Sequence, residues 1–129
     1  MKAKNTTVKL RDGEMGAYLA IPDRVPAGAI IAIMEIWGVN DTMRHHAHEF
    51  AQAGFICLVP DLFWRQEPGV ELSDGNPEHV KKAFDLYYDF DYDLAVRDME
   101  DNGAFWPSCR RATARSARSA TASAANCVT

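Results

Sequence analysis

Residues 29–36 read Ala-Ile-Ile-Ala-Ile-Met-Glu-Ile, and residues 55–59 read Phe-Ile-Cys-Leu-Val. An unbroken apolar run of this length is the pattern of a strand covered on both faces, as in a parallel sheet. Between the two runs, Asn40-Asp41-Thr42 offers helix-capping side chains. Met43, Ala47, Phe50 and Ala51 then recur at i, i+4, i+7 and i+8, which lays one apolar stripe along a helix from Asp41 to Ala53. Gly54 stands where the helix should stop, and Pro60-Asp61 ends the second run. Strand, helix, strand within about 30 residues is a βαβ unit, and its crossover is right-handed.

Working outward, Thr6–Arg11 alternates like a half-buried strand. Asp12-Gly13 is a hairpin turn signal, and Glu14–Ile21 reads as the returning strand. Downstream, 62–75 reads as a loop. Asn76-Pro77 opens a helix with Val80, Ala83, Phe84 and Tyr87 on one side, and a further helix runs from Asp91 to Asn102. The sequence therefore predicts an α/β class: a hairpin plus the βαβ start of a doubly wound, mostly parallel sheet. Such a sheet normally continues for several more strands. The chain looks truncated, and strands left without neighbours predict poor folding of the chain alone.

Composition narrows the function classes. At 129 residues, with 47% apolar and 25% charged, the chain is an ordinary globular domain. Its longest apolar run, Ala27 to Met34, is too short for a membrane span. The N-terminus shows charge without an apolar signal region. Three cysteines, Cys57, Cys109 and Cys127, are an odd number without metal-ligand spacing, which points to reduced thiols in a cytoplasm.

The net charge of −4 hides a break. Residues 1–109 carry ten Lys/Arg against eighteen Asp/Glu, whereas 110–129 carry four Arg and no acid. The last segment has seven Ala, three Ser and three Thr and nothing sizeable to bury except Val128. It is expected to be a low-complexity, disordered tail. A basic nucleic-acid-binding tail is one reading of it; a segment unrelated to the selected protein is the other.

Among residues able to carry chemistry, Glu35 is the most informative. A carboxylate at the C-terminal end of an apolar strand lies where α/β sheets place ligands, although a solvated strand end has the same pattern. Trp37-Gly38 follows, and glycine there permits the exposed backbone N–H groups that an oxyanion hole needs. His45, His46 and His48 suggest metal ligands, but only His45 and Glu49 share a helix face and no H-E-x-x-H occurs. A solvated helix face is the simpler reading, and His79 reads as isolated and exposed. Cys57, inside a core strand, reads as an inert buried thiol. Arg65 is a candidate for an anionic ligand or a plain surface residue. No P-loop, G-x-G-x-x-G or G-x-S-x-G is present.

Met34-Glu35-Ile36-Trp37-Gly38-Val39-Asn40, Met43-Arg44, Ala53-Gly54-Phe55, Val59-Pro60-Asp61-Leu62-Phe63 and Arg65-Gln66-Glu67-Pro68-Gly69 together resemble the dienelactone hydrolase family. The likeness runs from Val8 to Met99. It implies the N-terminal part of a carboxymethylenebutenolidase-like α/β-hydrolase, here 1–103. Such an enzyme opens a lactone or ester of a small molecule by cysteine-nucleophile acyl transfer, without cofactor, metal, nucleic acid or membrane. The resemblance makes Glu35 the modulator of the thiol, the Ile36 N–H an oxyanion donor, and Trp37 a pocket wall. The family holds a substrate carboxylate partly by arginine. Arg65 is only a neighbour of that position, and the region around Val80 departs from the pattern. The family's G-x-C-x-G-G nucleophile elbow and its later Asp and His are missing from this chain. As written it is therefore expected to be inactive. The alternatives are a metal-binding fragment using His45/His46/His48 and a basic-tailed nucleic-acid binder.

The tail has a second reading. When Ala112–Cys127 is back-translated and each codon's last base is grouped with the next two bases, the fixed positions permit G-N-G-K-V-G-A-V-G-Y-C-L-G-G-K-L. The free bases were chosen to favour the family, yet all sixteen consecutive residues are permitted. Phe105–Ser108 permits I-L-A-V in the same register. The expectation is a frameshift near 100–103, with 104–129 an out-of-frame tail.

Overall fold

The computed structural model describes residues 1–24 and 27–103. The elements are β1 (Lys2–Leu10), β2 (Gly13–Ile21), β3 (Gly28–Ile31), α1 (Asp41–Gln52), β4 (Phe55–Pro60), α2 (Pro77–Tyr88) and α3 (Tyr92–Gly103). They form one four-stranded sheet in the order β1-β2-β4-β3. β3 and β4 pair in parallel across α1, as the apolar runs predict. β1–β2 and β2–β4 are antiparallel, so the described residues form a mixed sheet in which the expected hairpin joins the start of the βαβ sheet. The tail expected over 104–129 lies outside the described residues.

β4 is central because both its faces bury apolar side chains. Ile56 and Leu58 join a cluster with Val8, Leu10, Met15, Leu19 and Ile31. Cys57 and Val59 point the other way, into a cluster with Met34, Met43, Ala47 and Ala51. Alternation along one strand thus feeds two cores, and truncating the fully buried Leu58 to Ala would cost about 2–5 kcal/mol.

α1 begins and ends as its sequence predicts. The Asn40 side chain accepts the Met43 N–H, and Gly54 (φ +98°) follows the last turn. Its buried stripe is Met43, Ala47 and Ala51, while Phe50 stands exposed. On α2 only Ala83 is buried; Phe84 and Tyr87, read as part of its apolar side, are exposed.

Two differences from the sequence reading have local causes. The hairpin turn is Arg11-Asp12, closed by Leu10 opposite Gly13, one residue earlier than Asp12-Gly13. Gly13 is displaced into the strand, where the Trp64 ring lies against it. β3 ends at Ile31, five residues before Ile36, because after the Ala32 N–H bonds the Leu58 carbonyl (2.9 Å) the chain leaves β4.

Charge pins α3 and the Trp64 loop to the hairpin turn. Arg65 donates to Asp98 through Nε (3.0 Å) and Nη2 (2.7 Å), and to Asp12 through Nη2 (2.6 Å). Trp64 Nε1 also donates to Asp98 (3.0 Å), and Arg97 pairs with Asp12. Arg11 grips Asp101 bidentately. These contacts hold the Asp12 carboxyl below the usual carboxylate range, chiefly through Arg65, and Asp101 likewise through Arg11.

A group whose pKa is lowered by folding stabilises the fold above its unfolded value, and that stability is lost as pH falls through the folded value. α3 is therefore expected to loosen from the hairpin turn as pH drops below about 4. In a variant with Trp64 as sole tryptophan, its emission should shift to the red on this acid limb. Arg65→Met should produce the shift already at neutral pH. An unshifted Arg65→Met spectrum would show that the ion pairs do not hold the contact.

Candidate functional site

Where the chain leaves β4, residues 32–40 build one wall of a cleft. Met34 turns inward and is buried, while Glu35 beside it is exposed. Ile36 and Trp37 make a turn in which the Gly38 N–H reaches the Glu35 carbonyl (3.4 Å). The chain then pairs with the segment after the Trp64 loop. Gly38 bridges Glu71, and the Leu72 N–H donates to the Trp37 carbonyl (2.8 Å). Only glycine fits this crossing: φ is +82°, and a Cβ would lie 1.9 Å from the Val70 carbonyl oxygen.

The resulting cleft has a volume of about 510 Å³. Glu35 and Trp37 form one side, the start of α1 (Asn40, Asp41, Thr42) another, and residues 71–74 with His79 the third. The Ile36 N–H makes no hydrogen bond among the described residues. Ser73 donates its N–H to His79 Nδ1 (3.1 Å), which fixes that ring at the cleft edge. Beside the cleft, Arg44 is engaged through all three of its guanidinium nitrogens. It donates to Asp41 through Nε (3.1 Å) and Nη2 (2.6 Å), to the Val39 carbonyl through Nη1 (3.0 Å), and to Glu71. Its pKa is raised, first by Glu71 and then by Asp41.

The structure thus brings Glu35, Ile36 and Trp37 together and leaves Arg65 out. Arg65 lines a separate cavity with Phe90, Leu94 and Asp98, its guanidinium already held by Asp98 and Asp12. Arg65 thus lies apart from the cleft that Glu35 and Trp37 line. Burial pushes the Cys57 thiol up to about 11, consistent with an inert core cysteine. The three clustered histidines go separate ways. His45 and His46 each face Glu49, and His48 Nε2 shares a hydrogen bond with the Tyr18 hydroxyl (2.6 Å). Among the described residues no group of three or more His, Cys, Asp or Glu is placed to hold a metal, which removes the support for a His45/His46/His48 site. His48 is half-buried against β2, so the helix face is not simply solvated.

The sequence profile of the dienelactone hydrolase family matches residues 15–116. The chain belongs to the dienelactone hydrolase family. It is 45% identical over 83 residues to a putative carboxymethylenebutenolidase of Azospirillum brasilense, covering 64% of this chain and 36% of that protein. It is 37% identical over 87 residues to carboxymethylenebutenolidase 1 of Cupriavidus pinatubonensis, covering 67% and 37%. The crystal structure of a putative dienelactone hydrolase from Klebsiella pneumoniae superposes with a TM-score of 0.67 at 26% identity, over 80% of this chain and 42% of that one. The chain spans about two-fifths of the length of these family members, and its sheet and helices are the corresponding portion of the α/β-hydrolase fold.

Glu71, Ser73, Asp74 and His79 line the cleft without any signal in the sequence. They sit in or after a loop that the Gly38–Glu71 bridge and the Leu72–Trp37 hydrogen bond bring to the Glu35 segment. That bridge is testable. Gly38→Ala should cost about 2–3 kcal/mol in urea unfolding. Gly54→Ala, at a similar φ with open space around it, should cost about 1 kcal/mol. Equal losses would mean that backbone strain alone, not the crossing with Val70, demands the glycine.

Proposed function

We propose that this chain supplies the Glu35 wall and half of the oxyanion hole of a cysteine-dependent hydrolase that opens a small lactone or ester. The observation that carries the proposal is the Ile36 N–H, which makes no hydrogen bond among the described residues and lies in the turn between Glu35 and Trp37, two residues that line the cleft. Such a donor, held by a rigid turn, stabilises the oxyanion that forms when a nucleophile attacks a carbonyl. In the proposed reaction a cysteine thiolate attacks the carbonyl, an acyl-enzyme forms with departure of the alkoxide, and water releases the acid. Glu35 adjusts the protonation of that thiol, and Trp37 walls the substrate. The triad and oriented N–H groups suffice for this chemistry, so no cofactor enters the proposal. A cytoplasmic setting fits the reduced cysteines; among the described residues no helix is long and apolar enough to cross a membrane.

We assign the nucleophile to the alternate frame of residues 112–127, which permits a G-Y-C-L-G-G elbow, with a register slip near 100–103. The reading fits the abrupt change from acidic to Arg/Ala-rich composition. The bases from codon 98 to codon 129 test it directly, since an alternate frame without that elbow refutes the slip. The 129-residue chain should then show no turnover of an activated ester above background. The frame-restored polypeptide should hydrolyse it, and Glu35→Gln in that background should lower kcat/KM by about a hundredfold. Turnover by the 129-residue chain would overturn the assignment of the nucleophile.

A further inference from the structure

The contacts of Arg44 bear on how the oxyanion donor is held, and this inference rests on the function proposed above. The side chain starts on the first turn of α1, where the helix dipole disfavours a cation. Its pairing with Asp41 is the ordinary contact of residues three apart on a helix. Two other contacts leave the helix. Nη1 donates to the Val39 carbonyl (3.0 Å), and Nη2 pairs with the Glu71 carboxylate. Val39 follows Gly38 in the chain, and Glu71 is the residue that Gly38 bridges. One guanidinium thus grips both strands of the crossing and ties them to α1. Arg44 lines a cavity of about 320 Å³ with Val39, Val70 and Glu71, distinct from the cleft that Glu35 and Trp37 line. Its route to the cleft wall is through the crossing.

Stability accounts for little of this arrangement. The Asp41 and Glu71 side chains are 98% and 48% exposed, and ion pairs in such positions contribute little to folding. Geometry accounts for more. A planar guanidinium with separate nitrogens holds a carbonyl and two carboxylates at fixed angles, which the point charge of a lysine does not. We propose that Arg44 is a positioning residue for the oxyanion turn. Through Val39 and Glu71 it fixes the Gly38 crossing, and through the crossing it fixes the direction of the Ile36 N–H. A donor displaced from its place leaves substrate binding nearly intact but loses its hold on the charge that develops in the transition state.

Two measurements test it. In the 129-residue chain, hydrogen exchange at the Leu72 amide, bonded to the Trp37 carbonyl, reads the crossing. Exchange at the Ala32 amide, bonded to the Leu58 carbonyl, reads the sheet. Arg44→Met should speed exchange at Leu72 about tenfold and leave Ala32 unchanged. An unchanged Leu72, or an equal rise at both amides, overturns the inference. In the frame-restored polypeptide, Arg44→Met should lower kcat about tenfold with KM within about twofold of the parent value, and Arg44→Lys should recover part of the loss. A raised KM at unchanged kcat, or no change in either, overturns the positioning role and leaves the proposed function standing. No hydrolysis by the parent polypeptide overturns the proposed function and the positioning role with it. Should Arg44→Met fail to fold, Glu71→Gln decides by the same two measurements. Faster exchange at Leu72 with lower kcat then supports the inference, and parent values of either refute it.

Discussion

The parallel pairing of β3 on β4 is the constraint on which the rest of the structure depends. It lasts four residues, from Gly28 opposite Phe55 to Ile31 opposite Leu58. Because β4 is held on its other edge by β2, its position is fixed by two neighbours and by apolar contacts on both faces. β3 therefore delivers the chain to one place, and everything at the cleft is counted from there. The α1 crossover supplies the second condition. Asn40 starts the helix and Gly54 ends it, so the chain returns to β4 after one helix of 12 residues.

The cleft is then closed by backbone rather than by side chains. Gly38 crosses Val70 at a distance no Cβ tolerates, and Trp37 and Leu72 share a backbone hydrogen bond. This crossing ties residues 34–38 to a loop that is itself anchored from behind. Asp61, buried at the end of β4, accepts the N–H groups of Phe63 (3.2 Å) and Gly69 (2.9 Å). Burial raises its pKa, and the two N–H groups work against that rise. Its carboxylate thus shapes the turn that brings Val70 and Glu71 back to Gly38. The same loop carries Trp64 and Arg65 to the hairpin and α3, so one segment couples the cleft wall on one side of the sheet to the ion-pair cluster on the other.

Much of this was legible in the sequence because the signals were local. The second apolar run, the Asn40 cap, the Gly54 stop and Asn76-Pro77 each specify an element boundary through neighbouring residues, and the structure follows them closely, whereas the first run gives the start of β3 and not its end. What was not legible depended on contacts between distant segments. Arg65 gives no sequence sign that Asp12 and Asp98 will occupy it, since they lie 53 and 33 positions away. His79 reads as isolated until the loop folds it onto Ser73. Phe84 and Tyr87 follow a helical period but remain exposed, because periodicity gives a face and not what covers it. The family resemblance singled out Glu35, Ile36 and Trp37; Glu35 and Trp37 line the cleft, and Ile36 lies between them in the chain.

The one difference that matters for chemistry is the early end of β3. Apolar residues continue to Ile36, and a strand running that far along a longer β4 would carry Glu35 and Ile36 within a ladder, but β4 ends at Pro60. A backbone N–H inside a ladder is already bonded to the neighbouring strand and offers nothing to a ligand. Ile36 lies instead in a turn beside the Gly38–Glu71 bridge, and among the described residues its N–H makes no hydrogen bond. A group must be both unbonded and immobile to stabilise charge that appears only during a reaction, because a mobile donor has to be reoriented at the moment it is needed. For the oxyanion role proposed for Ile36, the departure of the chain from the sheet would supply the first property and the glycine crossing the second.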